Sequence, residues 1–505
     1  MKTRNVKLFS TGIATLLLSV SCSNDFIEQT PTGQVTEANY YKDASQAYAG
    51  VVSVYDIMGK HSGGFENMVA MFNAGSDDFY AGGGNAGDGA GIQSFSNYSI
   101  NEATIPRSFW GDYYQGIFRA NTLLSHLEAV PMDEALKSRF RSETKALRGY
   151  YYFQLILMFK SIPLITEPLS PEQFLSVEQA TREAVWAQIE LDLTEAANDP
   201  NLPNTLNNTT EGGRLSKGAV KAILGKVYLE QHKNTEAATV FAEVNGTPGG
   251  TSQYGYHLLS NFADLWITDN KFNSESILEA THTQKSHALW GDGQLGFNTE
   301  GNILNIMMGP RGYAPANGGP DYKSGWSFNP VTVDLYTFMQ DDPRFDSTVA
   351  DLQALVAGGQ ASYTPGYKDT GYFLKKFMPK NADLSAEAGA PELNYRQNSY
   401  VIRLADTYLL EAEALNSTGP RAQALLDAVR ARVGLASVPV TPQAVADERR
   451  RELAGEGHRF RDLVRTGRAA TVLAPRGFVA GKHEFFPIPL LELSNTLIEQ
   501  DPAYL

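Results

Sequence analysis

The chain has only one cysteine among its 505 residues, so no disulfide can form within it and the fold must be stable without one. Basic residues are also in deficit, because 42 Lys and Arg against 56 Asp and Glu give a formal net charge of −14. Proteins that bind nucleic acid need clustered cations to neutralise phosphates. The acidic balance therefore argues against nucleic acid as a partner.

Long apolar runs are absent as well. After the N-terminal region no run approaches the roughly 20 residues that a transmembrane helix needs. The one pronounced apolar segment, residues 12–20, follows three basic residues and ends just before Cys22. A charged start, a short apolar stretch and small residues before the cleavage point are typical of a secretion signal. We therefore predict a signal peptide over residues 1–21.

Cys22 lies where a bacterial lipoprotein carries its acylated cysteine. Ser19 and Ser21 precede it, although the usual leucine three residues before the cysteine is missing. Acyl chains contribute about 0.8 kcal/mol per buried CH₂ and would hold the protein on a membrane. The polar residues 22–35 would form a tether to the folded body. We predict lipidation at Cys22, and ordinary secretion with a free thiol is the alternative.

Helical periodicity dominates the body of the chain, residues 36–505. Apolar residues recur at spacings of three and four over residues 45–58, 109–130, 133–159, 181–198, 216–231, 235–244, 400–416 and 421–433. Small residues Ala219, Ala222 and Gly225 share one helix face, which favours close packing on a partner helix. The helix pairs are similar to tetratricopeptide units, which bury their apolar faces by stacking. We predict a mainly α fold with a tetratricopeptide-like frame.

Three segments lack this periodicity: residues 61–105, 246–264 and 281–332. They are rich in Gly, Asn and aromatic residues, which predicts long irregular loops with a few short strands. Loops of this length are usually functional. We divide the single body into an N-terminal part with helical repeats, 36–245, and a loop-rich C-terminal part, 246–505.

Seven motifs, in this order, resemble the SusD/RagB family of nutrient-uptake lipoproteins of the Bacteroidetes outer membrane. They are CSNDFIEQTPTG (22–33), FWGDYYQGIFRANTLLSHL (109–127), KALRGYYYFQLILMFKSIPLI (145–165), DDPRFDST (341–348), YVIRLADTYLLEAEALN (400–416), ERRRELAGEGHRFRDLVRTGR (448–468) and FFPIPLLEL (485–493). The resemblance implies a lipid-anchored protein on the outer face of the outer membrane. It also implies that the protein binds a nutrient, most often an oligosaccharide, and closes as a lid over a SusC-like TonB-dependent transporter.

The charged residues of the tail motif have the spacing of ion pairs on helix surfaces. Glu448, Arg449, Glu452, Glu456, Arg459 and Asp462 recur at intervals that include i,i+3 and i,i+4. We therefore predict a structural role for them. The resemblance agrees, because in this family such motifs mark the frame and the ligand site lies in the loops.

A sugar ligand needs aromatic faces for its C–H groups and polar side chains for its hydroxyls. The loops offer the aromatic candidates Phe79, Tyr80, Tyr98, Trp290, Tyr313, Tyr322 and Trp326, and the polar candidates Asp77, Asp78, Asn97, Asp292, Arg311 and Asp321. We favour Trp290, Trp326 and Tyr322, because each lies among glycine and polar residues. Trp110 and Trp186 lie on helical patterns and are expected in the core.

Two other functions are open to a lipoprotein of this kind. A glycan-degrading lipoprotein would need paired carboxylates, but Asp77 with Asp78 and Asp341 with Asp342 are merely adjacent in sequence. The chain has no nucleophile elbow, metalloprotease or phosphate-loop motif, so we predict no catalysis, no cofactor and no metal. A tetratricopeptide-type adaptor for peptides or proteins is the other alternative. Exposed aromatic residues in the loops would favour a glycan, and a groove lined by helices would favour a peptide.

Overall fold

The structure is a computed structural model that describes residues 40–290 and 300–505. The predicted signal peptide, Cys22 and the tether lie outside these ranges and remain predictions. Within the described ranges, no helix combines the length and apolarity needed to cross a membrane.

The N-terminal part is built from helices. They are α1 (Ala44–Tyr55), α2 (Met68–Ala74), α3 (Ala90–Ser96), α4 (Ser108–Leu127), α5 (Glu134–Met158), α6 (Arg182–Asn198), α7 (Asn208–Glu211), α8 (Lys217–Glu230) and α9 (Asn234–Asn245). The six longer helices confirm the predicted pattern, since their ends lie within a few residues of the expected positions. Side-chain caps fix where several helices begin. The Thr181 side chain accepts a hydrogen bond from the Ala184 N–H at the start of α6, and the Ser216 side chain accepts one from the Ala219 N–H at the start of α8.

The C-terminal part alternates short elements with loops. Its helices are α10 (Leu304–Met308), α11 (Val333–Met339), α12 (Phe345–Thr348), α13 (Leu352–Ala357), α14 (Leu404–Ala414), α15 (Gly419–Arg432), α16 (Pro442–Glu452), α17 (Arg459–Arg465), α18 (Ala469–Val472) and α19 (Leu490–Leu493). Its strands are β1 (Ser276–Ala280), β2 (Ala314–Pro315), β3 (Val349–Asp351), β4 (Ala361–Ser362), β5 (Tyr372–Leu374) and β6 (Ser399–Arg403). The strands pair antiparallel as β1–β6, β2–β4 and β3–β5.

The frame consists of stacked helical hairpins. Helices α4, α5 and α6 pack in sequence, α8 packs on α9, α9 packs on α14, and α14 packs on α15. Glycine makes the contacts close: a Cβ at Gly116 would lie 2.6 Å from the Tyr151 ring, and one at Gly225 would lie 2.7 Å from the Phe241 ring. The prediction that the small residues of α8 face a partner helix is thus confirmed for Gly225, which lies against α9.

Two expectations about local structure are wrong. Residues 400–416 do not form one helix, because residues 399–403 pair with β1 as strand β6 before α14 begins. The segment 61–105 is not purely a surface loop, because all seven residues of α2 are buried. In both places a partner distant in sequence decides the outcome.

The tail motif contributes to a buried ion-pair network at the centre of the C-terminal part. We define this network as Asp342, Arg344, Glu275, Lys376, Arg403, Arg430, Arg432, Glu448, Glu452 and Glu456. Arg344 contacts Glu448 and Glu452 at 2.7 Å, and Arg403 contacts Glu275 and Glu456 at 2.9 Å. The structural role expected of these residues agrees with this, but the pairs predicted among them are wrong for Glu448, Glu452 and Glu456, because their partners come from other elements. Asp462 pairs with Arg449 on α16 and, at i,i+3, with Arg465 on its own helix.

Candidate functional site

Trp290 and Trp326 come together on the loop face of the C-terminal part. Their ring centroids are 5.8 Å apart with an interplanar angle of 50°, and Trp290 is 50% exposed. Phe65 extends the cluster, with its centroid 6.0 Å from Trp326 and 5.2 Å from the buried Phe328. Two residues 36 positions apart in sequence therefore form one aromatic platform whose outer ring faces solvent.

Hydrogen bonds fix the orientation of Trp290. Its Nε1–H donates to Glu392 Oε1 at 2.8 Å. Glu392 lies two positions before Asn394, whose Nδ2 donates to the carbonyl oxygens of Ala288 at 3.1 Å and Ala390 at 2.8 Å. Asn394 Oδ1 also accepts from the Ala288 N–H at 3.2 Å. These bonds join the two loop segments, so the exposed indole is held in place before any ligand arrives.

Arg311 provides a charged group beside the platform. Its Nε donates to the Trp326 carbonyl oxygen at 3.1 Å and its Nη2 contacts Asp88 Oδ2 at 2.8 Å. About a third of each charged side chain is exposed. A Cβ at Gly84 would lie 3.0 Å from the guanidinium carbon, so glycine leaves room for this close approach. We call Phe65, Asp88, Trp290, Arg311 and Trp326 the tryptophan surface.

Tyr80 marks a second aromatic position, joined to the same loops. Its half-buried ring contacts two cations, the Arg476 guanidinium at 4.8 Å from the ring centroid and Lys368 Nζ at 5.2 Å from it. The Tyr367 N–H donates to the Gly83 carbonyl oxygen at 2.8 Å and ties these residues to the glycine-rich segment. Tyr80 is thus available at a surface, although its faces are partly covered by cations.

Two of the predicted site residues lie in the core, which corrects the expectation that they are exposed. Tyr98 is only 7% exposed and its hydroxyl donates to the Gly75 carbonyl oxygen. Asp78 is fully buried and pairs with Arg450 at 2.6 Å. Their polar atoms serve the packing of the frame on the loops.

Tyr313 and Tyr322 contact each other instead of the tryptophans. Each is 7% exposed, and their centroids are 5.5 Å apart in a small apolar cluster with Phe373 and Met378. Burial raises the pKa of Tyr322 to about 12. The structure therefore shows these two tyrosines as supports of the loop, and the preference for Tyr322 as an exposed residue is corrected.

The remaining candidates divide among three environments. Phe79 is buried, and Asp77 is paired with Arg459 at 2.8 Å. Asn97 and Asp321 are exposed, and Asp321 accepts a hydrogen bond from Asn381. Asp292 lies outside the described residues and remains a prediction.

Sequence reasoning missed Phe65, Asp88, Tyr367, Lys368 and Glu392. Phe65 follows two glycines, and Tyr367 lies in the segment SYTPGYK, so both carry the signal of an aromatic residue among turn formers. Glu392 carries no local signal, because its function depends on a tryptophan 102 positions earlier. Trp110, predicted in the core, is buried, and Trp186 is half-buried against Phe153.

In the part of the chain that the structure describes, no group of three or more His, Cys, Asp or Glu side chains is arranged to hold a metal ion. The tryptophan surface consists of two indoles, a phenyl ring and one arginine–carboxylate pair. This combination can stack on the C–H face of a sugar ring and form hydrogen bonds with its hydroxyls.

Comparison with known proteins relates the whole chain to a family. Residues 335–482 match the SusD family, and residues 66–229 match a family described as starch-binding and associating with the outer membrane. A solved structure of a laminarin-binding SusD-like protein is 60% identical, with a TM-score of 0.90, and covers 92% of this chain and 100% of that chain.

Two further relatives agree with these matches. The surface glycan-binding protein A from Bacteroides fluxus is 25% identical, has a TM-score of 0.80, and covers 92% of this chain and all of that chain. SusD-like protein P25 from Formosa agariphila is 25% identical over 99% of both chains. The chain therefore belongs to the SusD/RagB family, which the opening resemblance predicted.

Proposed function

We propose that the protein binds a glycan of the β-1,3-glucan class on the tryptophan surface. The observation that carries this proposal is the half-exposed Trp290, held by Glu392 at a fixed angle to Trp326. Two rings tilted relative to each other match the shape of a curved oligosaccharide, because each of two sugar units along the chain can stack on one ring. The laminarin-binding relative at 60% identity supports the choice of glucan.

The proposal is tested by calorimetric titration of residues 23–505 with laminari-, cello- and malto-oligosaccharides of equal length. We expect saturable binding of the laminari series and at least tenfold weaker binding of the others. Equal affinity for all three would contradict the specificity. Failure of every glycan to bind would contradict glycan binding itself.

We also propose that the protein binds its glycan without cleaving it. The adjacent carboxylates offer no free acid–base pair, because Asp77 is paired with Arg459 and Asp342 with Arg344. The same titration mixtures, held overnight and separated by chromatography, should contain only intact oligosaccharide. Shortened products that persist after further purification would restore the hydrolase alternative.

The ligand is proposed to pass to a SusC-like TonB-dependent transporter in the outer membrane. A groove of about 430 Å³ on the helical side supports a protein partner, since Trp110, Tyr114, Phe118 and Phe174 line it. Six large apolar side chains at this groove and in the adjoining segments are 45–61% exposed: Phe118, Phe174, Leu175, Leu490, Leu491 and Leu497. Clustered apolar exposure of this kind marks an interaction surface.

Acidic substitutions at the apolar groove and its adjoining segments test the proposed contact with the transporter. Phe174→Asp with Leu491→Asp should abolish co-purification with the transporter from gently solubilised outer membranes, while glycan affinity is retained. Ile267→Asp is the control, since Ile267 is 54% exposed and does not line the groove. Undiminished co-purification of the double variant would contradict this assignment of the face.

Membrane attachment is proposed to depend on Cys22. Cys22→Ala should shift the protein from the membrane fraction to the soluble fraction without changing its glycan affinity. A variant that remains membrane-bound after a high-salt wash would contradict lipidation at this residue.

A further inference from the structure

Arg461, on α17, is a half-buried cation that forms no ion pair within the part of the chain that the structure describes. Its guanidinium carbon lies 5.1 Å from the ring centroid of Phe72, 5.6 Å from that of Phe460 and 5.7 Å from that of Phe486. Its Nη2 is buried and donates to no acceptor among residues 40–290 and 300–505, and no carboxylate there forms an ion pair with Arg461. The charge of Glu230 acts on the guanidinium only from beyond ion-pair distance. Burial lowers the pKa of Arg461 to about 10.

The guanidinium borders a cavity of about 90 Å³ between the two parts of the chain. Helices α2, α5 and α8, strand β6 and the segment around α17 all contribute to its wall. Basic groups predominate in the lining: Lys226, Arg449, Arg461 and Arg465 face three carboxylates, Glu230, Glu456 and Asp462. The rings of His61 and His458 also line the cavity, and burial lowers the pKa of His458 to about 4, so that ring is neutral at pH 7.

The three lining carboxylates are already engaged by other cations. Asp462 contacts Arg449 at 2.9 Å and Arg465 at 2.8 Å. Arg465 also reaches Glu230 at 3.4 Å.

Glu456 is held by Arg403 at 2.9 Å and Lys376 at 2.8 Å. Lys226 is paired with Asp406 at 2.9 Å. Within the described ranges, Arg461 is therefore the lining cation that has no ion pair.

An unpaired buried charge is costly, and proteins normally pair or solvate it. Guanidinium groups bind phosphate and sulfate through paired N–H donors. We propose that this cavity binds one small tetrahedral oxyanion, of the phosphate or sulfate class, with Arg461 as its charged contact. The bound anion joins α17 to the helices of the N-terminal part.

Thermal unfolding in phosphate tests this proposal. Wild type, Arg461→Met and the control Arg107→Met are compared in sodium phosphate and in sodium chloride of equal ionic strength. Methionine keeps an apolar stem against the phenylalanine rings, and Arg107 is an exposed arginine paired with Glu492. We expect Tm of the wild type and of Arg107→Met to rise by roughly 1–3 °C in about 100 mM phosphate, and Tm of Arg461→Met to stay constant.

A second test of the anion site compares the stability of Arg461→Met with that of the wild type in each salt. In chloride, Arg461→Met should match or exceed the wild type, because it removes an unpaired charge; in phosphate, the wild type should be the more stable. An equal response of all three proteins would mean a general salt effect and would overturn the proposal.

If Arg461→Met does not fold, equilibrium dialysis of the wild type with labelled phosphate decides the question. One phosphate bound per chain, displaced by sulfate and not by chloride, supports the site. No bound phosphate would mean that the cavity holds only water, and the proposal would fail.

Discussion

The ion-pair network and the tryptophan surface use polar groups in opposite ways. In the network, Arg344 and Arg403 are fully buried and their donors are satisfied by carboxylates from several elements. On the tryptophan surface, single hydrogen bonds hold Trp290 while half of its ring faces solvent. The network therefore contributes to the stability of the fold, and the surface is free to contribute to binding.

The largest expected effect is the loss of one carboxylate from the network. Glu452→Gln keeps the shape of the side chain but leaves the charges of Arg344, Arg403 and Arg432 without part of their compensation. We expect the free energy of unfolding to fall by about 3–5 kcal/mol. Urea unfolding measures it, and the exposed Glu236→Gln is the control. A loss no larger than that of the control would contradict the stabilising role of the network.

A fall in pH should destabilise the fold through the buried His282. Burial lowers the pKa of His282 from 6.5 to about 4, and its ring hydrogen bonds to Ser62 Oγ at 2.8 Å. Below pH 6.5 the unfolded chain takes up a proton that the folded protein does not bind. The contribution of His282 to the free energy of unfolding therefore declines as the pH falls from 6.5 towards 4, by roughly 1–2 kcal/mol at about pH 5.

Replacement of the histidine checks this expectation. In His282→Gln, urea unfolding at pH 7 and pH 5 should show a smaller pH dependence than in the wild type. The exposed His257→Gln should behave like the wild type. An unchanged pH dependence in His282→Gln would show that other groups are responsible.

The smallest effect concerns the orientation of Trp290. Glu392→Ala removes the acceptor of the indole N–H, so more indole orientations become accessible and glycan affinity should fall by about 0.5–1.5 kcal/mol. Glu392→Gln retains an acceptor oxygen and should bind like the wild type. Calorimetric titration measures both variants, and equal affinity in Glu392→Ala would show that this hydrogen bond does not contribute to binding.

The long helices could be predicted from sequence because their apolar spacing is local. Helix α5 (Glu134–Met158) was expected over residues 133–159. Strand β6 could not be predicted, because Tyr400, Val401 and Ile402 suit a strand or a helix and the pairing strand β1 lies more than 100 positions earlier. Similarly, the spacing of Glu448 and Glu452 indicated surface pairs, while their actual partners are distant in sequence.

The candidate site was predictable only in part. A tryptophan among glycines and polar residues indicates exposure, which the structure confirms for Trp290. The same argument misplaced Tyr98 and Tyr322, because a hydroxyl partner or a neighbouring ring can bury a loop tyrosine. The contact between Trp290 and Trp326, and the hydrogen bond that Trp290 donates to Glu392, depend on tertiary structure that no local pattern contains.

The most direct test of glycan binding by the tryptophan surface is calorimetric titration of a laminari-oligosaccharide with Trp290→Ala, Trp326→Ala and the wild type. Trp186→Phe, at a half-buried helical position, is the control. We expect each alanine variant to lose about 1–3 kcal/mol of binding free energy, with unchanged far-UV circular dichroism, and the control to bind normally. Wild-type affinity in both alanine variants would contradict the account.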